Sequence, residues 1–123
     1  MKTILVIDDD AAIRAMYGGL LGAEGYKVYE AETAEVAADF LTRKTVELVL
    51  LDINMPAVDG AAMKKILDTC GQGFKVMVAS VYPIERQRKM ISGVDDYYDK
   101  AQSPDLLLEK IHQLIGGTAA NRF

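Results

Sequence analysis

Three short runs of this sequence are apolar at every position. They are ILVI at 4–7, LVLL at 48–51 and VMVA at 76–79. A strand with one face in water alternates apolar and polar residues, whereas a strand covered on both faces is apolar throughout, as in parallel sheets. The runs therefore predict a sheet that is buried between two layers of helices.

Segments with helical periodicity separate these runs from one another and from two weaker strands. The strands are predicted at Thr3–Ile7, Lys27–Ala31, Leu48–Leu51, Lys75–Ala79 and Tyr97–Asp99. The residues expected on the inner faces of the first three helices are Ile13, Tyr17, Leu20, Leu21; Val36, Phe40, Leu41; and Met63, Ile66, Leu67. A fourth helix is expected over 83–92, and a fifth begins at the N-cap Ser103 and ends at Gly116. Strict alternation of five strands and five helices predicts a doubly wound α/β fold with right-handed crossovers.

Chain length, net charge and cysteine content restrict the kinds of protein to which this sequence can belong. Its 123 residues suit one domain, which we assign to residues 1–116, with residues 117–123 as a C-terminal tail or the start of a linker. A net charge of −4 argues against direct binding to nucleic acid, and no apolar run approaches the roughly 20 residues that span a bilayer. Cys70 is the only cysteine, which indicates a reducing compartment, so we expect a cytoplasmic protein.

Polar residues follow four of the predicted strands, at the edge of an α/β sheet where ligands bind. They are Asp8 and Asp9, Asp52, Ser80 and Lys100. Acidic residues at strand ends are often helix caps, and this is the role that we expect for Asp10. Asp8 and Asp9 are different, because two adjacent carboxylates that face a third repel one another unless a cation lies between them.

The charges of this group predict a metal ion. Three carboxylates and one lysine leave a net charge of −2, which one divalent cation would neutralise. Carboxylate and carbonyl oxygens favour Mg²⁺, or alternatively Mn²⁺, over Zn²⁺. Mg²⁺ usually keeps room for waters and a phosphate oxygen, and a carboxylate can attack phosphorus to form an acyl phosphate. In such a scheme Asp9, with Asp8 behind it, holds the metal, while Lys100 and the Ser80 hydroxyl contact phosphate oxygens.

Four segments resemble the response-regulator receiver domains of two-component signalling. They are VIDDD near the start, LLDINMPAVDG, VMVAS and GVDDYYDK, in matching order and spacing. The resemblance implies a flavodoxin-like sheet with strand order 2-1-3-4-5. It implies a phosphoacceptor rather than an enzyme, one that assists its own phosphorylation and dephosphorylation. The phosphoryl donor would be a sensor histidine kinase or a phosphotransfer protein, and the output a downstream protein target or a fused output domain.

The resemblance also assigns roles to single residues. Asp52 would be the phosphoacceptor and a metal ligand. Asp9 would bind Mg²⁺ directly, Asp8 through water, and Asn54 through its backbone carbonyl. Ser80 would follow the phosphoryl group, Tyr97 would be an aromatic switch residue, and the face made by the fourth helix, fifth strand and fifth helix would change.

The sequence departs from the family pattern in three places. Lys100 is followed by Ala101, where the family usually has proline, so we expect a trans peptide bond there. Ser80 is followed by Val81, where the family usually has alanine or glycine. Because Val81 and then Tyr82 would border the approach to Asp52, we expect them to slow phosphoryl transfer. The stretch from Ser80 to Lys100 is also about two residues shorter than usual, which affects the loop before the fourth helix.

Three other functions compete with a phosphorylation switch. A phosphatase of the haloacid-dehalogenase type needs a second aspartate two residues after the first, and that position is Asn54. A flavin carrier of the flavodoxin type needs a Ser/Thr-rich phosphate loop after the first strand, where Asp8–Asp10 would repel phosphate. The third alternative is a degenerate receiver that docks partners without phosphorylation, which would be expected to have lost acidic or lysine positions that this chain keeps.

Overall fold

Five β-strands alternate with five α-helices in a computed structural model that describes residues 2–53, 60–70 and 73–116. In chain order they are β1 (Thr3–Ile7), α1 (Ala11–Ala23), β2 (Lys27–Ala31), α2 (Ala34–Arg43), β3 (Leu48–Asp52), α3 (Gly60–Thr69), β4 (Lys75–Ser80), α4 (Ile84–Met90), β5 (Asp96–Asp99) and α5 (Pro104–Ile115). The predicted alternation is confirmed. Among the described residues, no helix is both long and apolar enough to cross a bilayer.

The strands form one parallel sheet in the order β2-β1-β3-β4-β5. This confirms the flavodoxin-like order that the resemblance implied. β3 is central, and its register with its neighbours places Leu51 beside Ile7 and Asp52 beside Ala79. All parallel strands point the same way, so their carboxyl ends share one edge of the sheet, called the carboxyl edge below.

Two apolar layers cover the sheet, one on each face. Helices α2, α3 and α4 contribute to one layer through buried residues that include Ala34, Ala37, Met63, Leu67 and partly buried Met90. Helices α1 and α5 contribute to the other through Tyr17, Leu21, Leu107 and Ile111. Adjacent residues of β1, β3 and β4 enter opposite layers, which explains why these strands are apolar at every position.

Side-chain caps define the starts of three helices as predicted. Asp10 Oδ1 accepts from the N–H of Ala12 at 2.8 Å at the start of α1. Thr33 and Ser103 cap α2 and α5 in the same way. At the far end of α5, the Tyr26 hydroxyl donates to the Gly116 carbonyl at 2.9 Å.

Two helices differ from prediction. Val36 was expected inside, but it is 47% exposed, because α2 turns its small residues Ala34 and Ala37 to the sheet and so approaches it closely. Helix α4 was expected over 83–92 but spans Ile84–Met90. It ends early because Ile91 takes an extended conformation that places its side chain in the core.

Candidate functional site

The carboxyl edge gathers the polar residues that the sequence places after the strands. Asp8 follows β1, Asp52 and Ser80 end β3 and β4, and Lys100 follows β5. Asp8 and Asp52 are only 1% and 7% exposed, and Ser80 is fully buried. Buried polar groups are costly unless they are paired, so their concentration at one edge marks it as the candidate site.

Lys100 joins the two buried carboxylates. Its Nζ lies 3.0 Å from Asp52 Oδ2, close enough for a hydrogen-bonded ion pair, and 3.9 Å from Asp8 Oδ2. One ammonium therefore serves two carboxylates that come from different strands. The structure therefore brings Asp8, Asp52 and Lys100 together at the carboxyl edge, and their roles stay a prediction.

Asp8 is the carboxylate of this group whose hydrogen-bonding capacity is only partly used among the described residues. Its Oδ1 accepts from the Asp10 N–H at 2.9 Å, but its buried Oδ2 has no hydrogen-bond partner in the part of the chain that the structure describes. Burial and the neighbouring Asp52 side chain raise the pKa of Asp8 from 3.8 to about 6. The pocket therefore holds more negative charge than Lys100 compensates.

The donor chemistry of this pocket fits a hard divalent cation. An unpartnered carboxylate oxygen beside a second carboxylate suits Mg²⁺, which proteins typically bind through one or two carboxylates and several waters. Within the described ranges, no group of three or more His, Cys, Asp or Glu residues is arranged to hold a metal ion. The side chain of Asp9 is exposed, and the predicted carbonyl ligand of Asn54 lies outside the described residues.

The chain matches the response regulator receiver domain family over residues 4–112. It belongs to that family. Members are signalling modules of two-component systems rather than enzymes in the usual sense. This agrees with the arrangement of Asp8, Asp52 and Lys100 at the carboxyl edge.

Named relatives and solved structures support the same family. The transcriptional regulatory protein AruR of Pseudomonas aeruginosa is 36% identical over 118 residues, covering 91% of this chain and 48% of that protein. The response regulator TrrA of Thermotoga maritima, solved in complex with Mg²⁺ and BeF, superposes with a TM-score of 0.82 at 32% identity and covers 93% of this chain and 99% of that one. A CheY-like receiver domain from Methanospirillum hungatei gives 0.78 at 30% identity, with 92% of each chain covered. The chain spans about half the length of the first curated relatives that it matches.

Arg14 supports the loop of the receiver domain that carries the acidic residues, and the sequence did not reveal it. Its Nη1 donates to the Asp8 carbonyl at 2.7 Å, and its Nε pairs with Glu30 of β2 at 3.1 Å. The contact fixes the backbone at Asp8. A basic residue six positions after an aspartate carries no local signal, because only the folded turn between β1 and α1 brings the two together.

The segment after β4 is built around Ser80. The Ser80 Oγ accepts from the Tyr82 N–H at 3.1 Å, and the Ser80 carbonyl accepts from the Lys100 N–H at 2.8 Å. Val81 is 61% exposed, and the guanidinium of Arg86 stacks over the Tyr82 ring at 4.2 Å. The role of Val81 and Tyr82 in limiting access to Asp52 stays a prediction.

Tyr97 points into the layer formed with α4. Its hydroxyl donates to the Ile91 carbonyl at 2.6 Å, and the Arg88 guanidinium lies 5.6 Å from its ring. The predicted switch residue is therefore held in an inward position in this structure. The fully buried Gln87 of α4 was not singled out from the sequence, because its charged neighbours indicated an exposed helix.

The turn after β5 positions the backbone at Lys100. The N–H groups of Ala101 and Gln102 donate to the side chain and carbonyl of Asp99 at 2.8 and 2.9 Å. The Lys100–Ala101 peptide bond is trans, as predicted. An alanine at this position is therefore accommodated by an ordinary turn.

Proposed function

We propose that this receiver domain is a phosphorylation-operated switch in which Asp52 accepts a phosphoryl group with the help of bound Mg²⁺, for which Mn²⁺ could substitute. The observation that carries the proposal is the buried pair of carboxylates with one shared ammonium. Asp52 contacts Lys100, while Asp8 Oδ2 has no hydrogen-bond partner among the described residues and the pKa of Asp8 is raised to about 6. Such a site is short of positive charge until a cation binds.

The proposed reaction is transfer from a phosphohistidine of a sensor kinase or phosphotransfer protein. A carboxylate oxygen of Asp52 forms a bond to phosphorus as the bond from phosphorus to the donor nitrogen breaks, and the product is an acyl phosphate. Lys100 would stay with the phosphoryl oxygens, and the Ser80 hydroxyl would donate to another. The metal, held by Asp52, by Asp9 directly, by Asp8 through water and by the Asn54 carbonyl, would supply charge neutralisation.

The proposed output is a change in the face formed by α4, β5 and α5. A phosphoryl group adds negative charge and acceptor oxygens next to Ser80, which lies at the end of β4. Movement of Ser80 towards them would change the space beside inward-facing Tyr97. This is a local electrostatic event that biases a packed element with two arrangements.

We also propose how the phosphorylated state decays and how the domain is connected to its output. The domain would assist the hydrolysis of its own phosphoaspartate, with Val81 and Tyr82 limiting the access of water. We propose residues 1–116 as the receiver domain, residues 117–123 as a tail or linker, and a protein target or fused domain as the recipient of the signal. Unpaired Cys70 supports a reducing, cytoplasmic setting.

Labelling with a small acyl-phosphate donor tests the proposal directly. The parent should gain one phosphoryl group in Mg²⁺, while Asp52→Asn and the parent in excess chelator should gain none. Asp39→Asn is the matched control, because Asp39 is an exposed aspartate in α2 that pairs with Arg43. Labelling of Asp52→Asn would refute the assignment, and a parent that cannot be labelled would favour a docking module that works without phosphorylation.

A further inference from the structure

Gln87 is a fully buried polar residue in a helix whose other polar residues are charged. Its Nε2 donates to two backbone carbonyls, that of Tyr82 at 2.8 Å and that of Tyr98 at 2.9 Å. The first acceptor lies in the segment between β4 and α4, and the second lies in β5. One side chain therefore ties three consecutive parts of the fold together.

The chemistry of the two acceptors fixes the orientation of this amide. Rotating it by half a turn would set its oxygen against two carbonyl oxygens, which offer no hydrogen. In the present orientation Oε1 is buried and has no hydrogen-bond partner within the described residues. Gln87 is thus only partly satisfied, so an arrangement in which Oε1 meets a donor or water can compete with the present one.

The Tyr82 peptide links Gln87 to the phosphoacceptor site. The N–H of Tyr82 donates to Ser80 Oγ at 3.1 Å, and its carbonyl accepts from Gln87. A displacement of the Ser80 hydroxyl therefore acts on the same residue that Gln87 holds. From Gln87 the contacts continue to the Tyr98 carbonyl, two residues before Lys100.

The elements that Gln87 joins are the ones least able to hold their own positions. Helix α4 has seven residues, and its N-cap Pro83 makes no side-chain hydrogen bond. Helices this short are unstable without tertiary contacts. Strand β5 has four residues and lies at the edge of the sheet, where among the described residues it pairs with β4 alone.

We propose that Gln87 is a positioning residue that transmits the phosphorylation-dependent change from the segment around Ser80 and Tyr82 to β5. This inference rests on the proposed function of Asp52 and adds the route by which α4 and β5 respond. When Ser80 moves towards a phosphoryl group, the bond between Gln87 and the Tyr82 carbonyl loosens. The contact of Gln87 with Tyr98 then changes with it.

NMR spectroscopy of the full chain with and without beryllium fluoride and Mg²⁺ tests the route. In the parent, the side-chain NH₂ signals of Gln87, assigned through their through-bond connection to the Gln87 backbone, should shift and exchange faster with water when the adduct forms. Backbone amides at 80–83 and 96–99 should shift as well. In Gln87→Met the shifts at 80–83 should remain, while those at 96–99 should shrink by roughly half or more.

The NMR results distinguish a failure of the Gln87 route from a failure of the proposed function of Asp52, on which the route rests. Unchanged NH₂ signals of Gln87 in a parent that forms the adduct, or full shifts at 96–99 in Gln87→Met, would refute the route alone. Failure of the parent to show shifts at Asp52, Ser80 and Lys100 would refute the proposed function and the route with it. Loss of adduct formation in Gln87→Met would place Gln87 in the phosphoryl site instead and would also overturn the route.

Ile91→Val is the matched control for a general loss of stability. Ile91 is buried next to α4 and keeps its backbone carbonyl for the Tyr97 hydroxyl, so the variant removes apolar contact without touching the Gln87 bonds. It should transmit the shifts at 96–99 in full. If it weakens them as much as Gln87→Met does, the effect comes from stability and the route is refuted. If Gln87→Met does not fold, the NH₂ signals of the parent still decide the question.

Discussion

The two sides of the carboxyl edge are built differently. On the side of β1 and β3, Asp8 follows β1 and Asp52 ends β3. Both strands have neighbours on both sides, and β3 is buried at all five positions. On the side of β5, the sheet ends in a four-residue strand covered by the seven-residue helix α4. The two buried carboxylates therefore lie at the ends of central, well-packed strands. They lie next to the region of α4 and β5, which is held by a few specific hydrogen bonds.

This difference suits the proposed switch, in which the carboxylate site must stay in place while the face formed by α4 and β5 changes. Regions with few buried apolar contacts open at lower free energy than central strands. A carboxylate pair at the ends of β1 and β3 can therefore gain or lose charge without loss of the sheet. In the proposed switch, the same electrostatic change would reach the α4 and β5 side through single contacts such as those of Tyr82, Gln87 and Tyr97.

The largest expected effect is a difference in stability between a variant in β3 and a variant in α4. Leu50→Ala in β3 removes a side chain that is almost completely buried, and we expect it to lower the free energy of unfolding by roughly 3–4 kcal/mol. Met90→Ala in α4, where the side chain is only partly buried, should lower it by about 1–2 kcal/mol. Urea unfolding measures both variants, and equal losses would contradict the comparison.

Asp8→Asn should stabilise the metal-free protein by roughly 2–3 kcal/mol above pH 6. Because the pKa of Asp8 is raised in the folded state, the stability linked to its proton is complete below 3.8 and is lost as the pH rises through about 6. The asparagine is neutral throughout, so it escapes that loss. The gain should therefore disappear on acidification below pH 3.8.

Thermal unfolding across that pH range, in chelator, measures the effect of Asp8→Asn. Asp9→Ala is the comparison, because it also removes a negative charge next to Asp8. The side chain of Asp9 is exposed, which limits the gain to about 0.5 kcal/mol. We expect Mg²⁺ to stabilise the parent and both variants to lose that stabilisation. An equal gain from Asp8→Asn at low and neutral pH would show that charge is not its cause.

Tyr97→Phe removes one hydrogen bond between β5 and the end of α4. We expect a loss of about 1 kcal/mol and faster hydrogen exchange around Ile91. Tyr98→Phe is the matched variant, because its hydroxyl donates to the carbonyls of Gln102 and Ser103 at the start of α5 instead. Its effect on exchange should lie near residue 103, and the same pattern in both variants would argue against separate attachments.

The smallest effect on stability is expected for Val81→Ala, below about 0.5 kcal/mol, because the side chain is 61% exposed. Its effect on rates should be larger if Val81 shields Asp52. Phosphorylation by a small acyl-phosphate donor and decay of the phosphoaspartate should both become faster. Rates equal to those of the parent would show that the loop carries Val81 away from the line of approach.

The sequence predicts the buried side of the molecule better than the α4 side. Uniformly apolar runs located β1, β3 and β4. The polar residues at the ends of β1, β3 and β5 pointed to Asp8, Asp52 and Lys100, because parallel strands must end at one edge. The end of α4 at Met90 and the burial of Gln87 could not be predicted in this way. They depend on which side chain fills the space between α4 and β5, and helical periodicity does not contain that information.

The hydrogen bond between Tyr26 and Gly116 determines how far the end of α5 lies from Asp52. Tyr26 directly precedes β2, so the bond fixes the end of α5 at the edge of the sheet opposite the carboxyl edge. A five-residue strand spans about 17 Å, which is more than a phosphoryl group and its ligands can bridge. The point of attachment at Gly116 therefore lies about one strand length away from the edge that holds Asp52. At that point, a change at Asp52 would be felt as a displacement of the intervening protein.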